Sequence, residues 1–525
     1  MSTNFLMRVG LLVAVFVCFT SATWAGSLEL PSIFSENMVL QRDAPVPIWG
    51  RAEPGHGVTV SVYDGEKRLG QKKTTGDGES GAWRVDLDPL PAGGRYSLLI
   101  ESRDGTGKVS DRLLFTNVLV GEVWITCGQS NMIWPIDSSA NREEAVRRRH
   151  EYPNLRAAQM GRRNVHEVTE AKWDTRGFWG PVKWEETSYL LPRSSKTDVP
   201  GSTSAVGYFF ARELYDHLGG DVPVGLINIG AILRAESWVD EETVKEMPQI
   251  AHLGGRIYPH ATSRAFKGNV TPLAPYAVRG AIYYQGEMNA GAPQHYRFAL
   301  EALIKSWRKA WDDPDLPFLL VQLPGFIEHK QGGEHELDMD EESLAEVADQ
   351  NVDHNFCYIR EAQLQVHQNV PHIGMAVTID LGAPWNIHPP RKKPVGRRLA
   401  LQARRLVYGD EEIVAQGPVP RNFRKKDDAF VIEFSHVGSG LVARRAKQLE
   451  GFELRTAGGK FVDATARIQG RRVIVSADGV TDPTGVRYAW AGYPDCNLYN
   501  EAGLPATPFI HPGIDFENWE GKSGR

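Results

Sequence analysis

Between about residues 118 and 409 the chain repeats one pattern: a short apolar run, a polar turn, then a helical stretch. The runs are Val123-Trp124-Ile125, Val224 to Asn228, Gly280 to Tyr284, Phe318 to Gln322 and Gly374 to Ile379. They are short, largely apolar and rich in β-branched and aromatic residues, as strands buried on both faces are. Between them, Gly207 to Leu218 sets Phe209, Phe210, Leu214 and Leu218 on roughly one helical face. Strands alternating with helices predict an α/β domain, a parallel sheet with helices on both faces. Short polar motifs follow the strands directly. Open α/β sheets place their ligands there, beyond the strand C-terminal ends.

The flanks read differently. From Leu28 to Asn117, runs such as Val58 to Tyr63 and Tyr96 to Ile100 alternate with turns at Asp77-Gly78 and Asp104-Gly105, which predicts a small β-sandwich over 26–117. From about Glu411 the chain returns to strands and turns (Ala429 to Phe434, Arg472 to Val475), a β-rich module over 410–525. At 525 residues the chain is too long for one ordinary domain. The insertion Glu334 to Asp349 is acidic but lacks the glycine and spacing of a calcium loop. A net charge of −6 argues against a general nucleic-acid binder. The 14 Trp and 16 Tyr fit either stacking on sugar rings or packing at domain seams, the second being the commoner use.

The N-terminus carries Arg8, the apolar run Val9 to Phe19, and Ser21-Ala22-Thr23-Trp24-Ala25. This reads as a secretory signal (1–25) cut after Ala25, and predicts an exported protein, periplasmic or extracellular. The run is far short of the roughly 20 residues of a membrane span, and none is expected. Val17 before Cys18 is bulkier than lipoprotein processing accepts. Beyond the leader, Cys127, Cys357 and Cys496 are odd in number and far apart, so neither a zinc knuckle nor a disulfide framework follows; one bridge plus a free thiol stays open. With no H-E-x-x-H and no phosphate-cradling loop, no metal or cofactor is expected.

The chemistry is carried by the segment Gly121-Glu122-Val123-Trp124-Ile125-Thr126-Cys127-Gly128-Gln129-Ser130-Asn131-Met132. A strand runs into a tight turn at Gly128, and Ser130 sits just past it. A small residue there lets the serine N–H face a substrate carbonyl while the hydroxyl attacks it. The tetrapeptide Gly-Gln-Ser-Asn alone is no more than a polar strand exit. The whole string resembles the nucleophile block of the sialate O-acetylesterases, a branch of the SGNH/GDSL hydrolase superfamily. The resemblance continues in chain order. It takes in Phe34 to Arg42 with Pro45 to Gly50, then Arg279-Gly280-Ala281-Ile282-Tyr283-Tyr284-Gln285-Gly286-Glu287-Met288-Asn289, then Arg360 to Gln363. Met375 to Asp380, Ile387-His388-Pro389 and Val395 to Ala400 follow, and lastly Val486 to Trp490 with Cys496 to Asn500.

That resemblance implies an esterase removing acetyl groups from an acetylated carbohydrate, with Ser130 as nucleophile and His388 as general base. It implies an oxyanion site built from the Ser130 N–H, an N–H at Gly230 and a side-chain amide from Gln285 or Asn289. Glu287, Arg234 and Trp238 are expected around the substrate pocket, Glu287 and Trp238 fitting a structural role equally well. The chain departs from the family in two places. Relatives carry an aspartate two or three residues before the histidine, where this chain has Asn386 and Trp385; Asn386 or Asp380 is left to orient the ring. The Gly-Gly-Thr-like turn is reduced to Gly230 in Asn228-Ile229-Gly230-Ala231-Ile232-Leu233-Arg234-Ala235-Glu236. Two alternatives stay open: an esterase of another polysaccharide, and a carbohydrate-binding relative that has lost efficient catalysis.

Overall fold

The computed structural model describes residues 28–160, 178–181, 203–253, 262–327 and 354–519. The leader and the acidic insertion expected at 334–349 lie outside them. Strands β1 (Val39–Gln41), β2 (Val46–Arg51), β3 (Gly57–Asp64), β4 (Lys67–Thr75), β5 (Ala82–Leu87) and β6 (Gly93–Arg103) come first. β4, β3 and β6 form an antiparallel sheet, and β2 pairs with β5.

β7 (Val109–Gly128) joins this module to the next without a break: its 20 residues pair antiparallel with β6 and then parallel with the central sheet. Its side chains show why. From Val109 to Asn117 exposure alternates, as in a sheet wet on one face; from Val118 to Gly128 every residue is buried, as in a sheet covered on both. The module boundary expected at residue 117 is thus a change of environment inside one strand.

The central sheet adds β8 (Leu155–Gln159), β9 (Phe178–Pro181), β10 (Val224–Asn228), β11 (Gly280–Tyr284), β12 (Phe318–Gln322) and β13 (Ile373–Val377), in the order β13-β12-β11-β7-β10-β8-β9. All neighbours run parallel except β9. β10 to β13 are each buried throughout. Besides the one-turn helix α1 (Ser130–Ile133) after β7, two helix pairs pack on this sheet. One is α2 (Ala205–His217) with α5 (Lys392–Leu406); the other is α3 (Tyr296–Trp311) with α4 (Asn355–Asn369). This is the α/β architecture expected.

The C-terminal module is built from small antiparallel sheets, one of them made by Val419–Lys426, Ala429–Ser435, Arg472–Ser476 and Thr465–Gln469. The buried Arg360 guanidinium of α4 pins it down, donating to the carbonyls of Ala491 at 2.8 Å and Gly492 at 2.6 Å. A second buried ionic cluster joins the N-terminal module to the central sheet. Glu122 of β7 accepts from Arg42 at 2.5 Å, Arg279 at 2.7 Å and the Tyr408 hydroxyl at 3.0 Å. Burial pushes this carboxyl up, but the two guanidinium groups hold it below its ordinary value. Cys127, Cys357 and Cys496 are free thiols. No helix among the described residues is long and apolar enough to cross a membrane.

Candidate active site

Ser130 opens α1 directly after β7. The turn between them needs glycine. Gly128 has φ +143°, and a Cβ there would stand 2.1 Å from the Tyr284 carbonyl oxygen of β11. The Gln129 N–H donates to that same carbonyl at 3.1 Å, and Ser130 is delivered half-buried at the C-terminal edge of the sheet. Its N–H lies in the first turn of a helix, where no intrahelical acceptor exists.

Asn131, the next residue, is fully buried and links three distant segments. Its Nδ2 donates to Glu287 Oε1 at 2.6 Å and to the Ile387 carbonyl at 2.8 Å, while its Oδ1 accepts from Lys392 Nζ at 2.5 Å. The turn after β11, the loop carrying His388 and the first turn of α5 therefore meet on one side chain. His388 has a second tie, to the residue that follows α1. Its imidazole stacks on Trp134 with centroids 4.9 Å apart and planes 19° from parallel. The Asn386 Oδ1 accepts from the His388 backbone N–H at 2.7 Å, so that side chain shapes the loop.

Glu287 is buried, with Oε1 on Asn131 and with Oε2 lacking a hydrogen-bond partner among the described residues. Burial raises its carboxyl above the ordinary range, opposed by the Asn131 hydrogen bond and the charges of Lys392 and His388. Gly230 lies on the other side of α1. The N–H groups of Ile229 and Ala231 donate to the Thr126 and Gly128 carbonyls at 3.1 and 3.0 Å. A Cβ on Gly230 would stand 2.4 Å from Ile133 Cγ2, so the one glycine kept from the family's turn is the one that lets this loop close on α1. Ile232, two residues on, is exposed.

Gln285 and Asn289 lie one layer deeper, both buried. The Gln285 amide donates to Asn289 Oδ1 at 2.7 Å, and the Asn289 amide donates to Glu236 Oε2 at 2.9 Å. Their donors are thus engaged in bracing the turn after β11 against the segment after β10. Arg234 keeps a side chain 14% exposed, 3.9 Å from Glu236, with its Nε unpartnered among the described residues. Two of the candidates are engaged elsewhere. Trp238 has no exposed surface; it packs against Trp307 in the core and offers no ring face to a sugar. Asp380 is bound by both oxygens to Arg398, at 2.6 and 2.7 Å, and although burial pushes its carboxyl up, that guanidinium holds it below the usual range. It is thereby tied to the middle of α5.

Ser130, Asn131, Glu287, Gly230 and the His388 loop thus gather where β7, β10 and β11 end. The family model for carbohydrate esterases, described as sialic acid-specific acetylesterases, matches residues 120–385, which span most of this arrangement. The chain belongs to this carbohydrate esterase family. It is a carboxylic ester hydrolase. Human sialate O-acetylesterase is 26% identical over 91% of both chains, and the mouse protein 25% over 96% of this chain and 98% of its own. The crystal structure of a carbohydrate acetylesterase from Xanthomonas citri superposes with a TM-score of 0.75 at 33% identity, covering 92% of this chain and 99% of that one.

In this esterase three contributors escaped the sequence reading: Asn131, Trp134 and Lys392. Asn131 stood inside the nucleophile block without a role. Lys392 left a signal, since a cation in the first turn of a helix opposes the helix dipole and calls for a partner. Trp134 left none, because nothing local marks it as the surface on which a residue 254 positions later in the chain will stack.

Proposed function

We propose that this chain is an exported serine esterase that removes O-acetyl groups from carbohydrate. Ser130 Oγ attacks the acetyl carbonyl while His388 takes its proton; His388 then protonates the departing sugar oxygen, and water releases acetate from Ser130 by the reverse sequence. The oxyanion is held by the backbone N–H groups of Ser130 and Gly230, since the amides of Gln285 and Asn289 are buried a layer deeper and bonded to each other and to Glu236. In place of the family's aspartate, the imidazole is oriented by stacking on Trp134. One observation carries this reading: both tethers of the histidine loop, the Ile387 carbonyl and the imidazole ring, run to the helix that Ser130 begins or to Trp134, the residue that caps it. The N-terminal leader supports export to the periplasm or beyond.

The substrate is an O-acetylated glycan, and the two groups of relatives name the alternatives. The mammalian relatives are sialate esterases, whereas the Xanthomonas relative is titled only a carbohydrate acetylesterase. Acetate release from acetylated sialic acid and from acetylated plant polysaccharide, by mature protein beside its Ser130→Ala variant, tests both parts. A Ser130-dependent release from one class names the substrate. No Ser130-dependent release from either, or from nitrophenyl acetate, would replace the esterase mechanism with carbohydrate binding.

A further inference from the structure

Lys392 is a lysine with almost no exposed surface, an expensive place for an ammonium group and one that apolar residues of similar size fill without cost. Its surroundings are built to take a cation. Nζ donates to Asn131 Oδ1 at 2.5 Å and lies 5.6 Å from the Trp134 ring centroid and 5.5 Å from that of Tyr284. The Glu287 carboxylate acts on it through space. These groups belong to α1, to β11 and to the turn after β11, and they include the residues that hold Ser130 and His388 together. The mechanism above makes no use of the ammonium.

We propose that Lys392 is a positioning residue for the esterase reaction, its ammonium fixing through Asn131 and Glu287 how the Ser130 helix and the His388 loop meet. The proposal rests on the serine esterase reading. The Asn131 NH2 faces a carboxylate and a carbonyl, which only accept, and its oxygen faces an ammonium, which only donates. Each partner fixes the amide in the same sense. Without the ammonium, Oδ1 loses its donor and Glu287 loses its counter-charge, so the buried carboxyl takes up a proton and holds the amide only as a weaker, neutral acceptor. The Ile387 tether then loosens, and with it the imidazole.

The ionisable groups around Lys392 set how this depends on pH. Glu287 is the charge that favours the ammonium; the Tyr284 phenol, pushed well above its ordinary range by burial, stays neutral. His388 shares the field of Glu287, Arg391 donates to the Asp380 carbonyl, and Lys393 is paired with Glu144. Burial lowers Lys392 from 10.5 to about 7, the charge of Glu287 opposing the shift. The protonated form is the competent one, so rate is lost as pH rises through that value.

The experiment is the pH profile of kcat with nitrophenyl acetate for the wild type, Lys392→Met and Lys392→Arg, with Ser130→Ala as control. The wild type is expected to show an alkaline limb well below the ordinary lysine range. Lys392→Met, folded by its thermal midpoint, is expected to lose at least about tenfold in kcat with KM within about threefold, and to lose the limb. Lys392→Arg keeps its charge at all accessible pH, and is expected to retain more activity than the methionine variant with the limb displaced upward. A folded methionine variant with wild-type kcat and limb would overturn the proposal. So would a wild type with no such limb, or an arginine variant whose limb is unmoved, either of which decides the matter if the methionine variant does not fold. Activity that survives in Ser130→Ala would instead sink the serine esterase reading, and this inference with it.

Discussion

Asp380 and Asn386 are each near His388 in sequence, and each was a reasonable substitute for the aspartate that relatives carry. Each has a firm partner elsewhere. The Asn386 oxygen is spent on a backbone N–H, and Asp380 is held by Arg398, whose side chain is only 11% exposed. Removing the charge of Asp380 leaves a buried guanidinium without its counter-ion, which typically costs about 3–5 kcal/mol. Asp380→Asn is therefore expected to lower unfolding stability by about 3 kcal/mol while the folded enzyme keeps kcat within a few-fold. Denaturant melts and kinetics on the same sample check this. A stable variant with kcat down by orders of magnitude would restore Asp380 as the ring-orienting carboxylate. The sequence offered Asp380 because distance along the chain is all a sequence measures. Arg398 lies 18 positions further along the chain but within hydrogen-bonding distance in space.

At the level of elements, the buried strands were the most legible part. Val224–Asn228, Gly280–Tyr284 and Phe318–Gln322 have the bounds their apolar runs predict, because a strand covered on both faces writes its whole length in apolar residues. β7 was legible only in its second half. Its first half alternates, as strands of a half-wet sheet do, and that change of period reads as two elements although the backbone continues. The family blocks were legible as text but not as contacts. Arg42, Glu122 and Arg279 come from three of those blocks and meet in one ionic cluster remote from chemistry. Gln363, from a fourth, donates to the carbonyls of Gln285 and Val321 and so ties the ends of β11 and β12. Much of what makes the sequence resemble its family is thus scaffold that aims the site. Gly128, Ser130 and Gly230 were readable in advance because a strand exit constrains residue type locally; Asn131, Trp134 and Lys392 act across hundreds of positions.

Across the whole molecule, the C-terminal module packs on α4 through Arg360 and through Glu361, which faces Gln365 and the segment around Ile514. Glu361 Oε2 has no hydrogen-bond partner among the described residues, and burial pushes the carboxyl from 4.5 up to about 7. The folded chain therefore keeps this proton to a higher pH than the unfolded chain does. Stability from this group is intact below about pH 4.5 and is lost as pH rises to about 7, by about 3 kcal/mol in all. Glu361→Gln removes the titration, so its stability relative to wild type is expected to be about 2 kcal/mol greater at about pH 8 than at about pH 5 in urea melts. Equal differences at the two pH values would show that Glu361 ionises normally in the folded seam.

The proposed chemistry depends first on Ser130 as the nucleophile. The most direct measurement is to inactivate the enzyme with a fluorophosphonate, which traps an activated serine covalently, and to locate the adduct by peptide mass mapping. The account predicts one adduct, on the peptide that carries Ser130, forming in step with loss of esterase activity and absent from Ser130→Ala. Full inactivation with the adduct on another residue, or an active esterase that never labels at Ser130, would contradict it.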